Sequence, residues 1–173
     1  MLTEAQQTWI ASLPDDVEII IKPYDPTAHE KFELLEKMLR PHLGDDAKIL
    51  HLGATSFGIS GQDEIDVFIP VEESKYDDFV ETISGLLGAP YIHLPLERTG
   101  FACEDFGKHI DVFVISETSE GWLRHILFDR VLRDNKEALE EYRELKEHGH
   151  GLSMREYYRR KGEFINRITG WGA

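Results

Sequence analysis

The chain has 173 residues, 41% of them hydrophobic, one cysteine and a formal charge of −14. A single cysteine excludes an intrachain disulfide and any cysteine-based zinc cluster. The negative charge argues against general nucleic-acid binding, which rests on Lys and Arg meeting phosphates. No apolar run approaches the roughly 18 residues that a membrane-spanning helix needs. The start M-L-T-E-A-Q-Q has neither the basic nor the apolar region of a signal peptide, so a cytoplasmic protein is expected.

Charge is unevenly spread. Residues 122–173 hold 11 Lys+Arg against 9 Asp+Glu, a net of +2, whereas residues 1–121 hold 8 against 24, a net of −16. An acidic body with a mixed-charge tail suits a protein that binds a metal on one side and an anion on the other. The length fits one domain, 1–173.

In chain order, Thr3 and Gln6 form a capping pattern for a helix that Pro14 closes. The β-branched run Val17–Ile21 predicts a strand. Asp25 as cap and Pro26 as first helical residue begin a helix to about Arg40, with Phe32, Leu35, Met38 and Leu39 on one stripe and Pro41 and Gly44 ending it. Lys48–Leu52 and Glu64–Val71 are strands, joined by a loop containing Gly53, Gly58 and Gly61. Ser74 and Asp77 start a helix with Phe79, Val80, Ile83 and Leu87 on its apolar stripe, stopped by Gly88. Pro90–Glu97 and Lys108–Ile115 are further strand candidates, separated by the polar segment Arg98–Gly107. From Ser119 onward the pattern is helical: Trp122 to Leu132, then a helix capped by Asp134 with Glu137, then one capped by Ser153 with Glu156. Strands mixed with helices, followed by helices alone, give an α+β fold with residues 1–118 as the sheet-containing core and 119–173 as a helical part.

The stretch Ile49–Val71 carries the chemistry. Along a strand, Glu64, Asp66 and Phe68 share one side, and Ile65, Val67, Ile69 and Val71 share the other. Two carboxylates therefore stand together at the strand's start. Asp111 repeats the theme in K-H-I-D-V-F-V. Three such carboxylates on adjacent strands suit one or two Mg²⁺ ions, because hard cations take oxygen ligands. Gly53-Ala54-Thr55-Ser56 adds a turn where backbone can approach a phosphate and two hydroxyls can hold its oxygens. The competing account makes each residue structural, with Asp111 paired to Arg98 or Lys108. His51 and His109 fit either a ligand contact or an ordinary half-buried strand histidine. Arg133, Lys146 and Lys161 are candidate phosphate-binding cations, against ordinary surface charge on helices.

Together these residues resemble the nucleotidyltransferase fold superfamily and, within it, the GrpB family. The resemblance runs through Tyr24-Asp25-Pro26, His51-Leu52-Gly53-Ala54-Thr55-Ser56, Ile65-Asp66, Leu132-Arg133, Glu141-Tyr142, Leu145-Lys146, Tyr158, Lys161 and Phe164-Ile165. The family usually has Gly-Ser-Thr where this chain has Gly53-Ala54-Thr55. It has Lys-Pro where Gln62-Asp63 stand, an apolar residue at Glu64, and a His pair where His109 and Asp111 stand. Its Phe-Arg-Asp is reversed here to Phe128-Asp129-Arg130. The resemblance implies a nucleotidyltransferase-like mixed sheet flanked by helices. The expected function is Mg²⁺-dependent transfer of a nucleotidyl group from a nucleoside triphosphate to an unidentified acceptor. In it, Glu64, Asp66 and Asp111 hold metal, and Gly53, Thr55, Ser56, Arg133, Lys146 and Lys161 hold phosphate. The alternatives are a non-catalytic nucleotide- or protein-binding module on the same fold, and a purely structural acidic protein.

Overall fold

A computed structural model describes residues 1–171; the last two residues of the expected 1–173 domain lie outside the described residues. Helices α1 (Glu4–Ser12), α2 (Ala28–Leu43), α3 (Gly53–Ser56) and α4 (Tyr76–Leu87) alternate with strands β1 (Leu50–Leu52), β2 (Glu64–Val71), β3 (Ile92–Leu94), β4 (Arg98–Asp105) and β5 (Lys108–Ser116). Helices α5 (Glu120–Asp134), α6 (Lys136–Glu147) and α7 (Met154–Thr169) follow. The strands form one sheet in the order β1-β2-β5-β4-β3. β2 and β5 run parallel and the other pairs antiparallel, so the sheet is mixed and the fold is α+β.

The chain divides into two compact units. One comprises Tyr24–Ile59 and Asp63–His125; the other comprises Met1–Pro23, Ser60–Gln62 and Ile126–Ala173. The expected division at 118/119 differs from these units at both ends: residues 1–23 belong with the carboxy-terminal helices, and the first residues of α5 belong with the sheet.

In the sheet unit, strand alternation decides what is buried. Ile65, Val67 and Ile69 of β2 and Ile110, Val112 and Val114 of β5 form a core with Phe32, Leu35 and Leu39 of α2 and Tyr76 and Ile83 of α4. Phe79, Val80 and Leu87 pack against it from α4, whose first turn follows a single 3₁₀ turn at Glu73–Lys75. The polar segment Arg98–Gly107 is mostly strand: β4 occupies Arg98–Asp105, and Phe106-Gly107, with φ of 51° and 70°, turn the chain into β5. Positive φ at both residues of a two-residue turn matches the right-handed twist of a hairpin. Thr99 is fully buried in β4, and its hydroxyl is engaged by the Tyr76 hydroxyl at 3.0 Å and His93 Nδ1 at 2.8 Å. These bonds let a polar residue occupy an inward position.

Three local expectations are corrected. Pro41 does not end α2; it lies in the helix's last turn, and Gly44, with φ 88°, closes the helix by donating its N–H to Arg40 O at 3.0 Å. Asp25 does not occupy the N-cap; Thr27 does, and Asp25 Oδ1 accepts from the Thr27 N–H at 2.8 Å and hydroxyl at 2.7 Å. Val17–Ile21 forms no extended strand: its backbone bonds only locally to the segment 151–154, around a single bridge between Glu18 and Ser153, and a second bridge, Lys22 with Gly61, lies just beyond the run.

The helical unit is built on aromatic contacts. Phe128 meets Tyr142 edge-on at 5.2 Å, Tyr142 stacks on Phe164 at 5.7 Å, and Trp9 of α1 meets Tyr158 of α7 at 5.2 Å. Thr3 and Gln6 cap α1 reciprocally, and the Ser153 hydroxyl caps α7. The cap of α6 is Asn135 in place of Asp134; its Oδ1 accepts from Glu137 N at 3.0 Å and Ala138 N at 3.1 Å.

Candidate carboxylate site

Register places the acidic residues. β2 and β5 pair in parallel with Asp66 opposite Asp111, and Glu64 lies opposite His109. With Ile65, Val67, Ile110 and Val112 turned into the core, Glu64, Asp66 and Asp111 emerge together on the opposite face. One carboxylate oxygen from each lies within 4.8 Å of the others, and all three residues are half-buried. Burial raises the proton affinity of Asp111, an effect that Tyr91 and His109 partly offset. His109 Nδ1 meets Glu104 Oε1 at 2.6 Å and its Nε2 lies 3.8 Å from Asp111 Oδ1. The Glu104 contact first, and the neighbouring carboxylates after it, raise the imidazole's pKa against the opposing effect of burial.

The glycine turn is fitted to one of these carboxylates. Gly53 opens α3 with φ 74°, and a Cβ there would lie 2.0 Å from Asp66 Oδ2. Two demands thus converge on glycine: a left-handed backbone and the absence of a side chain against Asp66. The hydroxyls of the turn are directed inward. Thr55, 5% exposed, donates to Glu64 O at 3.0 Å and meets His51 Nε2 at 2.9 Å; Ser56 donates to Gly53 O at 2.8 Å. His51 lies opposite Val67, on the core side of the sheet, with its ring stacked on Phe32 at 4.9 Å. It is therefore on the face away from the carboxylates.

Lys108 is buried and committed elsewhere, to Asp63 and to Asp25 Oδ2 at 2.9 Å. Burial alone would lower its pKa, but hydrogen bonds to the two carboxylates raise it. Asp25 is held well below the usual carboxylate range by hydrogen bonds from Lys31, Thr27 and Lys108. Arg98 forms no ion pair among the described residues; its guanidinium carbon lies 5.6 Å from the centre of the Phe113 ring. Neither proposed partner of Asp111 is thus paired with it.

The phosphate candidates of the tail belong to the helical unit. Arg133 makes a two-pronged bond to Asp129, at 2.7 and 3.0 Å. Lys146 is buried, with its ammonium 5.5 Å from the Tyr142 ring and 6.0 Å from the Tyr157 ring, and Lys161 lies 5.5 Å from the Tyr158 ring.

One residue at the site, Tyr91, was not singled out from the sequence, and another, Arg98, was named only as a partner for Asp111. Tyr91 donates its N–H to Gly100 O at 3.0 Å, meets Phe113 edge-on at 6.5 Å, and brings its hydroxyl to Asp111. Arg98 shares the carboxylate face because it lies opposite Ile115, as Ala102 lies opposite Asp111. The usable signal is the alternation Arg98, Gly100, Ala102 against Thr99, Phe101, Cys103, which becomes visible once the segment is taken as a strand.

Fold and site together define an α+β protein with a carboxylate cluster on one face of a mixed sheet. A crystal structure of the conserved protein GrpB from Enterococcus faecalis has a similar fold, with a TM-score of 0.66 and 23% identity, covering 87% of this chain and 95% of that one. A UPF0157 protein of Vibrio cholerae serotype O1 is 28% identical over 151 residues, 82% of this chain and 74% of that protein. The GrpB protein family model matches residues 18–170, and the chain belongs to the GrpB family. Among the described residues, no helix is long and apolar enough to cross a membrane.

Proposed function

We propose that the chain binds a nucleoside triphosphate with one or two Mg²⁺ ions and transfers its nucleotidyl group to a hydroxyl acceptor. The observation that supports this most directly is the convergence of Glu64, Asp66 and Asp111, with one oxygen of each within 4.8 Å of the others. Mg²⁺ binds oxygens at about 2.0–2.1 Å, so neighbouring ligands of one ion stand about 3 Å apart and opposite ones about 4 Å. The cluster fits such an ion with small side-chain adjustment. When bound, the metal would neutralise phosphate charge and orient the phosphates.

The chain's own residues supply the rest. Gly53 allows Asp66 to stand against the turn, and Glu64, where the family usually has an apolar residue, completes the oxygen set. One of the three carboxylates also takes the acceptor's hydroxyl proton onto its oxygen. Attack at the α-phosphorus would release pyrophosphate, with catalysis chiefly by positioning and charge neutralisation.

A second reading, a nucleotide-binding module without turnover, draws support from the inward commitment of the Thr55 and Ser56 hydroxyls. Thermal shifts with ATP, GTP, CTP and UTP, with and without Mg²⁺, test binding, because a ligand of the folded state raises stability by mass action. A Mg²⁺-dependent shift in the parent that is lost in Asp66→Asn is the expected result. The same shift in Asp66→Asn would overturn the assignment of metal to Asp66, and no shift in the parent with any nucleotide would sink both readings. Pyrophosphate release across a panel of hydroxyl acceptors then separates transfer from binding alone.

A further inference from the structure

We propose that Arg98 is the phosphate-binding residue of this site and that the ligand is an organic polyphosphate whose chain runs from the carboxylates toward β4. The identification as a nucleotide rests on the reading above; the anion-binding role of Arg98 stands on its own geometry. Arg98 lies on the carboxylate face of the sheet, on the strand that pairs with β5. Its guanidinium lies over Phe113, two residues beyond Asp111 and thus about 7 Å along the strand. A diphosphate or triphosphate held at one end by a cation bound to the carboxylates spans that gap.

Two features hold the guanidinium there. Phe113 provides a ring face for the cation. Gly100, directly opposite Phe113, has no room for a side chain: a Cβ would come within 2.8 Å of Ile92, 3.0 Å of Phe113 and 3.1 Å of Tyr91. The rings of Phe113 and Tyr91 therefore close over Gly100 and form the floor beside Arg98.

Its lack of an acidic partner is chemically informative. Lys31, Arg40, Lys48, Lys75 and Lys108 of the same unit are each paired with a carboxylate, whereas the half-buried Arg98 and the exposed Lys37 form no ion pair among the described residues. In a stretch where residues 1–121 carry 24 acids against 8 Lys+Arg, an arginine held on an aromatic ring retains its guanidinium donors for a ligand. Those donors match phosphate oxygens in a two-pronged geometry that lysine cannot reproduce. Arg133, by contrast, has its fork occupied by Asp129, and Lys146 is buried against tyrosine rings.

Titration calorimetry of the parent, Arg98→Gln and Arg98→Lys with two probes tests this: inorganic tripolyphosphate with Mg²⁺, and Mn²⁺ alone. Arg98→Gln is expected to weaken tripolyphosphate binding by about 10-fold or more, the loss of a charge-assisted hydrogen-bonded contact. Mn²⁺ affinity should stay at the parent level, because Arg98 ligates no metal. Arg98→Lys should fall between, and it carries the test if melting shows Arg98→Gln unfolded. Unchanged tripolyphosphate affinity in the folded variants overturns the assignment while leaving the metal reading intact. Arg98-dependent tripolyphosphate binding by a parent that takes no Mn²⁺ sinks the metal reading and supports Arg98. A parent that binds neither probe overturns both.

Discussion

At the scale of single residues, Gly53 links the backbone of the turn to the chemistry of β2. Its φ of 74° is one that L side chains rarely adopt, and its missing Cβ leaves the space occupied by Asp66 Oδ2. Gly53→Ala therefore combines left-handed strain with displacement of a carboxylate. The expected loss is about 2 kcal/mol of stability in urea unfolding, typical of a residue forced into a sparsely populated conformation. The same variant should bind Mn²⁺ more weakly, since Asp66 must leave its place beside Glu64 and Asp111. A variant with parent stability and parent Mn²⁺ affinity would show that the turn tolerates a side chain and that Asp66 is not fixed by it.

At the scale of elements, helix ends and strand alternation explain what was legible beforehand. β2 was readable because Ile65, Val67, Ile69 and Val71 mark one face and Glu64 and Asp66 the other, so the acidic pair on one face followed from period two alone. The caps at Thr3 and Ser153 were readable for the same local reason. β4 was not. Its inward Thr99 is satisfied by Tyr76 and His93, contacts that exist only after α4 and β3 have packed, so its polarity pointed to a loop. The contribution of Arg98 and Tyr91 to the site depends likewise on register between strands. At α6 the cap moved by one residue, because Asn135, not Asp134, turns its side chain onto Glu137 N and Ala138 N. Asn135→Ala should therefore cost about 1 kcal/mol in chemical denaturation, the usual value of an N-cap. Asp134→Ala should cost less. Equal effects from the two substitutions would contradict the assignment of the cap.

At the scale of the whole molecule, the excess of acids makes pH the natural probe, because paired and buried carboxylates act with opposite signs. Asp25 is held down by Lys31, Thr27 and Lys108, and Glu156 is brought to about 2 by Arg159 and Arg160. A carboxyl with a depressed folded-state pKa stabilises the fold above its unfolded value and loses that contribution as pH falls through the folded one. Asp111 is shifted upward, so its folded form binds a proton sooner than the unfolded chain does, and its contribution improves as pH falls toward the unfolded value. His109, also raised, adds stability below its unfolded value and loses it as pH rises through the folded one. Acidification from neutrality thus first brings small gains from His109 and Asp111, and below about pH 4 the losses from Asp25 and Glu156 take over. Asp25→Asn isolates the largest of these pairings. Its melting temperature should lie below that of the parent at pH 7, where the ionised Asp25 is paired with Lys31 and Lys108. The two curves should begin to converge as pH falls below about 4, where the unfolded parent's carboxyl takes up a proton that the folded one does not. A constant gap between the curves from pH 7 down to pH 2.5 would mean that Asp25 stabilises the fold through its packing and neutral hydrogen bonds, not through its charge.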